Sequence, residues 1–299
     1  MAALKPADVA QALRLPFLSA SVLPFVFGSL LADELKLVPL LLGLAATAST
    51  HLSGNVINDY ADSKTGADAQ DTRHYAFFGG SKLIQHGVFT AAWYKRVGIA
   101  LAAAAVGAVL ALAAWMRTAT VVWLYLFVLL LTWMYSEKPL RLSYRRLGEL
   151  VVFLLFGPAC VMGGHYLQTA VFPTWQGLFL SLPFGFLTAG ILLANEVPDA
   201  PDDRAAGKFN LVGVVGRTNG YLLYAASVAG AFAAIAAAIA TGYLGRTALL
   251  SAVGLLPATA AVRILRRHYG DKLMMTRSSR LAILTHLLVG VILILDVLL

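Results

Sequence analysis

Little of this sequence carries charge. Asp, Glu, Lys and Arg make up 13% of its 299 residues, where a soluble domain holds about 25%. With 59% hydrophobic residues and a mean hydropathy of +0.76, the chain has too little polar surface to cover a water-facing globule. One or two soluble domains are thereby excluded, and lipid is the expected solvent. Cysteine is nearly absent: the single Cys160 excludes an intrachain disulfide and a cysteine-ligated metal cluster. Acids are scarce too, 15 against 23 Lys and Arg. The net charge of +8 and pI near 9.7 would suit nucleic acid or anionic lipid. In a membrane chain, however, the placement of Lys and Arg says more than their total, and no nucleic-acid partner is expected.

What the chain does have is a series of apolar runs. A helix needs about 20 apolar residues to cross a bilayer core. That window finds nine candidates, at 12–32, 37–59, 92–114, 119–136, 147–169, 176–197, 219–241, 245–265 and 281–298. Stretches rich in Ala and Gly, such as 100–114 and 225–240, let helix backbones approach closely. The expected fold is all-α, a polytopic membrane bundle of nine helices forming one domain over 1–299. Lys5 and Arg14 before an apolar run also fit a cleaved leader, but the topology closes only if that run is kept as a helix.

Lys and Arg orient the bundle. With nine crossings, 20 of the 23 fall on the side of the N-terminus, and only Lys36, Arg117 and Arg246 on the other. Positive residues stay cytoplasmic, which puts the N-terminus inside. Eight or ten crossings break the alternation. The inner connections after helices 2 and 6 are long, about 30 and 20 residues, and loops of that length in a compact protein tend to be functional.

Those two loops hold eight of the fifteen acids. The first cluster reads Asn55-Val-Ile-Asn58-Asp59-Tyr60-Ala61-Asp62, with Asp68 and Asp71 beyond. The second reads Asn195-Glu196-Val-Pro198-Asp199-Ala-Pro201-Asp202-Asp203-Arg204, then Gly207 and Lys208. Asn55/Asp59, Asn58/Asp62, Asn195/Asp199 and Asp199/Asp203 are each four apart, a spacing that stacks side chains on one helix face. Pro198 and Pro201 are expected to loosen or end the second helix. Carboxylates beside lipid are costly and normally functional, and several together need cations. Hard oxygen donors suit Mg²⁺, which takes one or two carboxylates plus phosphates and water. Each cluster is half a site: Asn58, Asp59, Asp62, Asp68, Asp199 and Asp203 as metal ligands, with Asn55, Asn195, Lys82, Arg204 and Lys208 towards a diphosphate. A single Asn-x3-Asp would be a solvated loop; two at matching inner helix ends, each followed by basic residues, are a site. Tyr135, Lys138 and Arg141 on a third inner loop join it, although Arg145 and Arg146 also fit the topology rule alone. His74 and His165 are single histidines, more often structural than catalytic.

At these residues the chain resembles the UbiA-type intramembrane aromatic prenyltransferases over nearly its whole length. Asn58 and Asp62 match the first Asp-rich motif, whose third position here is Gly66 with Asp68 two residues on. Asp199 and Asp203 match the second motif, and Arg204, Gly207 and Lys208 continue it. Tyr135-Ser136 with Leu140-Arg141 is similar to a further family segment. The resemblance implies nine helices around a central cavity and Mg²⁺ as cofactor. It also implies an isoprenyl diphosphate donor, an aromatic acceptor and a site on the cytoplasmic face of a bacterial plasma membrane. Asn58-Asp59-Tyr60-x-Asp62, Gly148-Glu149 with Phe153 and Phe156-Gly157, and Gly164-x-Tyr166-Leu167-Gln168-Thr169 are closest to the members acting on 1,4-dihydroxy-2-naphthoate with loss of CO₂, in menaquinone biosynthesis. Asp62, Asp199, Arg73, Lys138 and Arg141 are then the catalytic candidates. The departure is Arg73-His74-Tyr75 with Gly79-Gly80-Ser81-Lys82, where the resemblance implies an Arg-x-Gly-Pro type segment and a place for the acceptor. Another acceptor such as 4-hydroxybenzoate is the alternative. A transporter would hold its acids near the bilayer midplane, and a lipid-phosphate transferase would gather them in one motif.

Overall fold

The computed structural model describes residues 5–66 and 71–299. Asp68 lies outside the described residues. All regular structure within them is helical, apart from an isolated bridge between Arg145 and Phe209. Twelve α-helices follow in order: α1 Pro6–Ala12, α2 Ser19–Leu30, α3 Leu37–Thr65, α4 Ala91–Met116, α5 Thr120–Ser136, α6 Gly148–Leu154, α7 Cys160–Thr169, α8 Trp175–Ala205, α9 Leu211–Val215, α10 Gly220–Ala240, α11 Leu255–Arg267 and α12 Lys272–Leu298. Seven continuous spans are long and apolar enough to cross a membrane, or eight if the bent pair α1–α2 counts as one. The apolar α5 is shorter, at 17 residues. The protein is a multi-pass integral membrane protein.

The expected first span, 12–32, is broken rather than straight. Arg14 takes left-handed backbone (φ 54) and Pro16 starts a tight turn over Leu15–Phe17, so α1 and the segment after it meet at 52°. A left-handed residue cannot sit within a right-handed helix. The break brings Arg14 to the same end of the bundle as the acid clusters.

The helix carrying the second cluster behaves opposite to expectation. Pro198 and Pro201 do not end α8, which runs on to Ala205. Each proline removes one amide donor, but a membrane span tolerates this where it is packed against neighbouring helices. Pro198 is buried, and α8 lies against α10 and α12. The unbroken helix keeps Asn195, Asp199 and Asp203 one turn apart on a single face.

Gly148–Thr169 forms one span with a five-residue π-turn, Leu155–Ala159, between α6 and α7. Gly157 sits at a tight crossing there, since a Cβ on it would meet the Gly185 backbone at 2.7 Å. Elsewhere the interior is apolar and dense, as where Phe27, Val161, Leu180 and Phe184 pack with Val289 and Leu293.

Candidate active site

A cavity of about 580 Å³ lies inside the bundle. Gly43 and Asp62, both on α3, both line it. They are nineteen residues apart, about 28 Å along a helix, close to the ~30 Å thickness of a hydrocarbon core. Along most of its length the walls are apolar, including Phe25, Val109, Leu112, Val121 and Phe156. At the other end they are Asn55, Asn58 and Asp62 from α3, Asn195, Glu196, Asp199, Asp202 and Asp203 from α8, and Lys208 just beyond it. The two clusters therefore meet across one cavity.

Each wall is held by specific bonds. The Asp62 carboxylate accepts from the Tyr144 hydroxyl at 2.9 Å, and Asn58 donates to Ser136 at 3.0 Å. Burial and the Asp62 charge push the Tyr144 phenol above its ordinary range, so it stays a donor. Asp203 accepts from Asn210 at 2.9 Å and pairs with the Lys208 ammonium at 3.4 Å. Burial alone would discharge Lys208, but Asp203, Asp62 and Glu196 outweigh it and raise its pKa well above the lysine range. Asn55 donates to the Leu13 carbonyl at 3.2 Å.

The stretch 71–90 folds over this end. The Gly79 amide donates to Asp199 at 2.9 Å and the Ser81 amide to Asp59 at 3.0 Å. Gly79 and Gly80 both have φ 69, a region that only glycine enters freely, and this aims the Gly79 amide at α8. Lys82 is buried within the same turn, its ammonium near Gly79. Gln11 and Arg14 bond the Ser81 and Phe77 carbonyls. At the outer edge, Lys272 bridges Asp71 (3.0 Å) and Asp202 (2.9 Å), while Arg73 and the Tyr75 hydroxyl also bond Asp71. Burial works against the Asp71 carboxylate, but these hydrogen bonds outweigh it and hold its pKa far below the usual range.

Among the residues expected from the sequence, the fold gathers Asn55, Asn58, Asp62, Asn195, Asp199, Asp203 and Lys208 at the cavity. Lys82 stands beside it. Tyr135 lines it at the α5 end. Asp59, expected as a metal ligand, is not a lining residue; it faces Ser81 and, at 3.7 Å, Arg14. Arg73 is turned outward, its side chain 75% exposed on Asp71. Lys138 and Arg204 are exposed and off the cavity wall. Arg141 lies over the Tyr144 ring, 5.3 Å from its centroid. Arg14 and Tyr144, which arrive from distant segments, were not legible as site residues. Ser81 entered the sequence reading only within the departing 79–82 stretch, and Glu149 only within the family-like Gly148-Glu149 segment. The Glu149 Oε1 accepts from the Leu211 amide at 2.6 Å.

Among the described residues, no three acids or histidines converge closely enough to hold a metal alone. The donor set nonetheless fits Mg²⁺ shared with phosphates, because every group is a hard oxygen. Asn195 Oδ1 and Glu196 Oε2 are buried on the wall without a protein partner.

Fold and site together define an integral membrane bundle with an internal chamber, polar at one end and apolar along the rest. The chain belongs to the UbiA prenyltransferase family, whose profile matches residues 21–287. It is 28% identical over 231 residues to the 1,4-dihydroxy-2-naphthoate octaprenyltransferase of Bacillus subtilis (strain 168), covering 75% of this chain and 71% of that one. It is 32% identical over 186 residues to the Mycobacterium tuberculosis protein of the same name, covering 62% and 60%. To the Drosophila melanogaster UbiA prenyltransferase domain-containing protein 1 homolog it is 31% identical, covering 72% and 59%. The chain thus spans about three fifths of the latter two relatives. The fold matches the apo structure of a UbiA homolog from Aeropyrum pernix K1 with a TM-score of 0.73 at 18% identity, over 93% of this chain and 97% of that one. It also matches a UbiA homolog from Archaeoglobus fulgidus bound to GPP and Mg²⁺, with a TM-score of 0.62 at 14% identity, over 96% and 99%.

Proposed function

We propose that the protein transfers an isoprenyl chain from a polyprenyl diphosphate to 1,4-dihydroxy-2-naphthoate, with loss of CO₂, in menaquinone biosynthesis. The observation that carries the reading is the chamber itself: a carboxylate, amide and lysine head joined to an apolar channel, the two together following α3 from Gly43 to Asp62, about 28 Å. A prenyl diphosphate has that polarity. The Bacillus and Mycobacterium relatives bear the acceptor's name, and an archaeal relative of the same fold holds GPP with Mg²⁺. The proposal includes one membrane domain over 1–299 with nine crossings, α5 and the bent α1–α2 pair among them. Its N-terminus and site face the cytoplasm of a bacterial inner membrane.

Asn58, Asp62, Asp199 and Asp203 hold the metal, with Asn195 and Asn55 completing the polar wall. Asp59 anchors the 79–82 turn and leaves the ligand set. Mg²⁺, when bound, neutralises the diphosphate and so improves it as a leaving group. Lys208 and Lys82 supply charge to the phosphate oxygens as the allylic C–O bond breaks and the diphosphate departs with the electron pair. The apolar walls and the 71–90 cover exclude water, so the electron-rich ring captures the allylic carbon before hydrolysis does. Arg141, stacked on the Tyr144 ring off the cavity wall, is assigned to the acceptor carboxylate.

Membranes containing the protein, supplied with an isoprenyl diphosphate, Mg²⁺ and a panel of phenolic acids, are read by mass spectrometry. The expected product is the prenylated, decarboxylated naphthoate, and Asp62→Asn or Asp199→Asn lowers its rate by about 10²-fold or more. Prenylation of 4-hydroxybenzoate instead would replace the acceptor assignment. No product with any acceptor, from folded protein, would overturn the reading.

A further inference from the structure

The α11–α12 hairpin carries a charge pattern that the chemistry above does not use. Arg263, Arg266 and Arg267 lie on α11 and Arg277 and Arg280 on α12, and all five are exposed. Among the described residues none of the five forms an ion pair; Arg266 lies over the Tyr221 ring at 5.7 Å. Between Arg246 and Leu295 the only acid is Asp271, and its carboxylate is taken by the Leu273 and Met274 amides at the start of α12. Spacings of three and four residues put each set on one outward stripe. The opposite faces are packed, with Ala258, Ala261, Ile264 and Leu265 on α11 against Met275, Ser278, Ser279 and Ala282 on α12. The Ser278 hydroxyl contacts the Ala261 carbonyl at 3.4 Å, so the two helices touch along this stretch.

Depth is the second observation. Lys272 begins α12 at the level of the site, on Asp71 and Asp202. Arg277 and Arg280 follow about 7.5 and 12 Å further along the helix. The 27 residues of α12 span about 40 Å, roughly 10 Å more than a hydrocarbon core; with that excess at the Lys272 end, these two arginines come to the level of the lipid phosphates. A topological bias needs positive charge in the connection, in either basic residue. It does not require arginine at outward positions inside two adjacent spans.

We infer that this arginine collar binds the phosphates of anionic phospholipids at the same membrane face as the chamber. A guanidinium fork takes two phosphate oxygens at once, which a lysine ammonium does not, and clusters of four to eight such residues beside a span attract anionic headgroups.

The test uses the full-length protein in a neutral detergent, titrated with phosphatidylglycerol or phosphatidylcholine and read by native mass spectrometry. Wild type is expected to retain phosphatidylglycerol about tenfold more tightly than phosphatidylcholine. Arg263→Gln, Arg267→Gln, Arg277→Gln and Arg280→Gln combined should bring the two lipids to near parity. Should that variant fail to fold, Arg277→Lys with Arg280→Lys keeps the charge and the topology, and is still expected to lose several-fold of the preference. Arg145→Gln with Arg146→Gln, on another basic loop, should leave the preference intact. Parity in wild type, full preference in the lysine variant, or equal loss in the Arg145/Arg146 control would each overturn the inference.

Discussion

Lys208 shows how a single side chain sets the charge of the chamber. Its ammonium lies 3.4 Å from Asp203, with Asp62 and Glu196 close enough to keep it charged despite burial. Removing it with Lys208→Met leaves Asp203 buried with Asn210 as its remaining named partner. Stranding one partner of a buried pair costs on the order of 3 kcal/mol. The variant is therefore expected to melt earlier in detergent and to lose turnover even when donor is saturating. Unchanged melting would mean that the pair contributes little. That Asn58 and Asp62, and Asp199 and Asp203, share a cavity wall was legible from spacing, because four-residue repeats on a helix translate directly into a shared face; Lys208, beyond the end of α8, was suggested only by its charge. Asp59, expected beside them, does not line the cavity. It is adjacent to Asn58, and adjacent residues on a helix point about 100° apart, so it turns towards Ser81 and Arg14.

At the scale of elements, the 71–90 cover is fastened at two edges, by Gly79 and Ser81 on the inner side and by Asp71 on Lys272 at the outer. Lys272→Met should loosen the outer edge alone. Amide exchange across 71–78 is expected to quicken by about tenfold, equivalent to about 1.4 kcal/mol, with that of α3 unchanged. Acid should do the same. The folded Asp71 pKa is depressed, so its contribution is fully present above the ordinary carboxylate value, about 4, and is lost as pH falls through the folded value. A fluorophore on Thr72→Cys, in a Cys160→Ala background, should report no change from pH 7 to about 5 and progressive release below about 4. Release already complete at pH 6 would contradict the sign. None of this fastening was legible in the sequence: Asp71 and Lys272 are 201 residues apart, and charge patterning carries no signal for such a pair. The continuity of α8 was misread because proline is a breaker in water and much less so in a packed span.

For the whole molecule, the length of the apolar runs located the seven or eight spans the structure shows, and their ends less well. The α12 helix begins at Lys272 rather than 281, since polar residues extend a helix beyond the apolar window that reveals it. The nine-crossing proposal makes a labelling prediction. In the Cys160→Ala background, Arg145→Cys and Arg117→Cys should react with a membrane-impermeant maleimide from opposite sides of sealed cells and inverted vesicles. Labelling of both from one side would break the topology.

The π-turn at 155–159 gives its span two independent registers. Upstream, α6 is tied to the polar head through Glu149 and the Leu211 amide; downstream, Cys160, Gly163 and Tyr166 face the chamber. One extra residue in a 3.6-residue helix turns everything beyond it by about 100°, and the wide turn absorbs that mismatch on the spot. On the proposed function, replacements past the turn are expected to remodel the apolar channel while Glu149 keeps its aim, so that the length of tail accepted and the chemistry of the head change as separate traits.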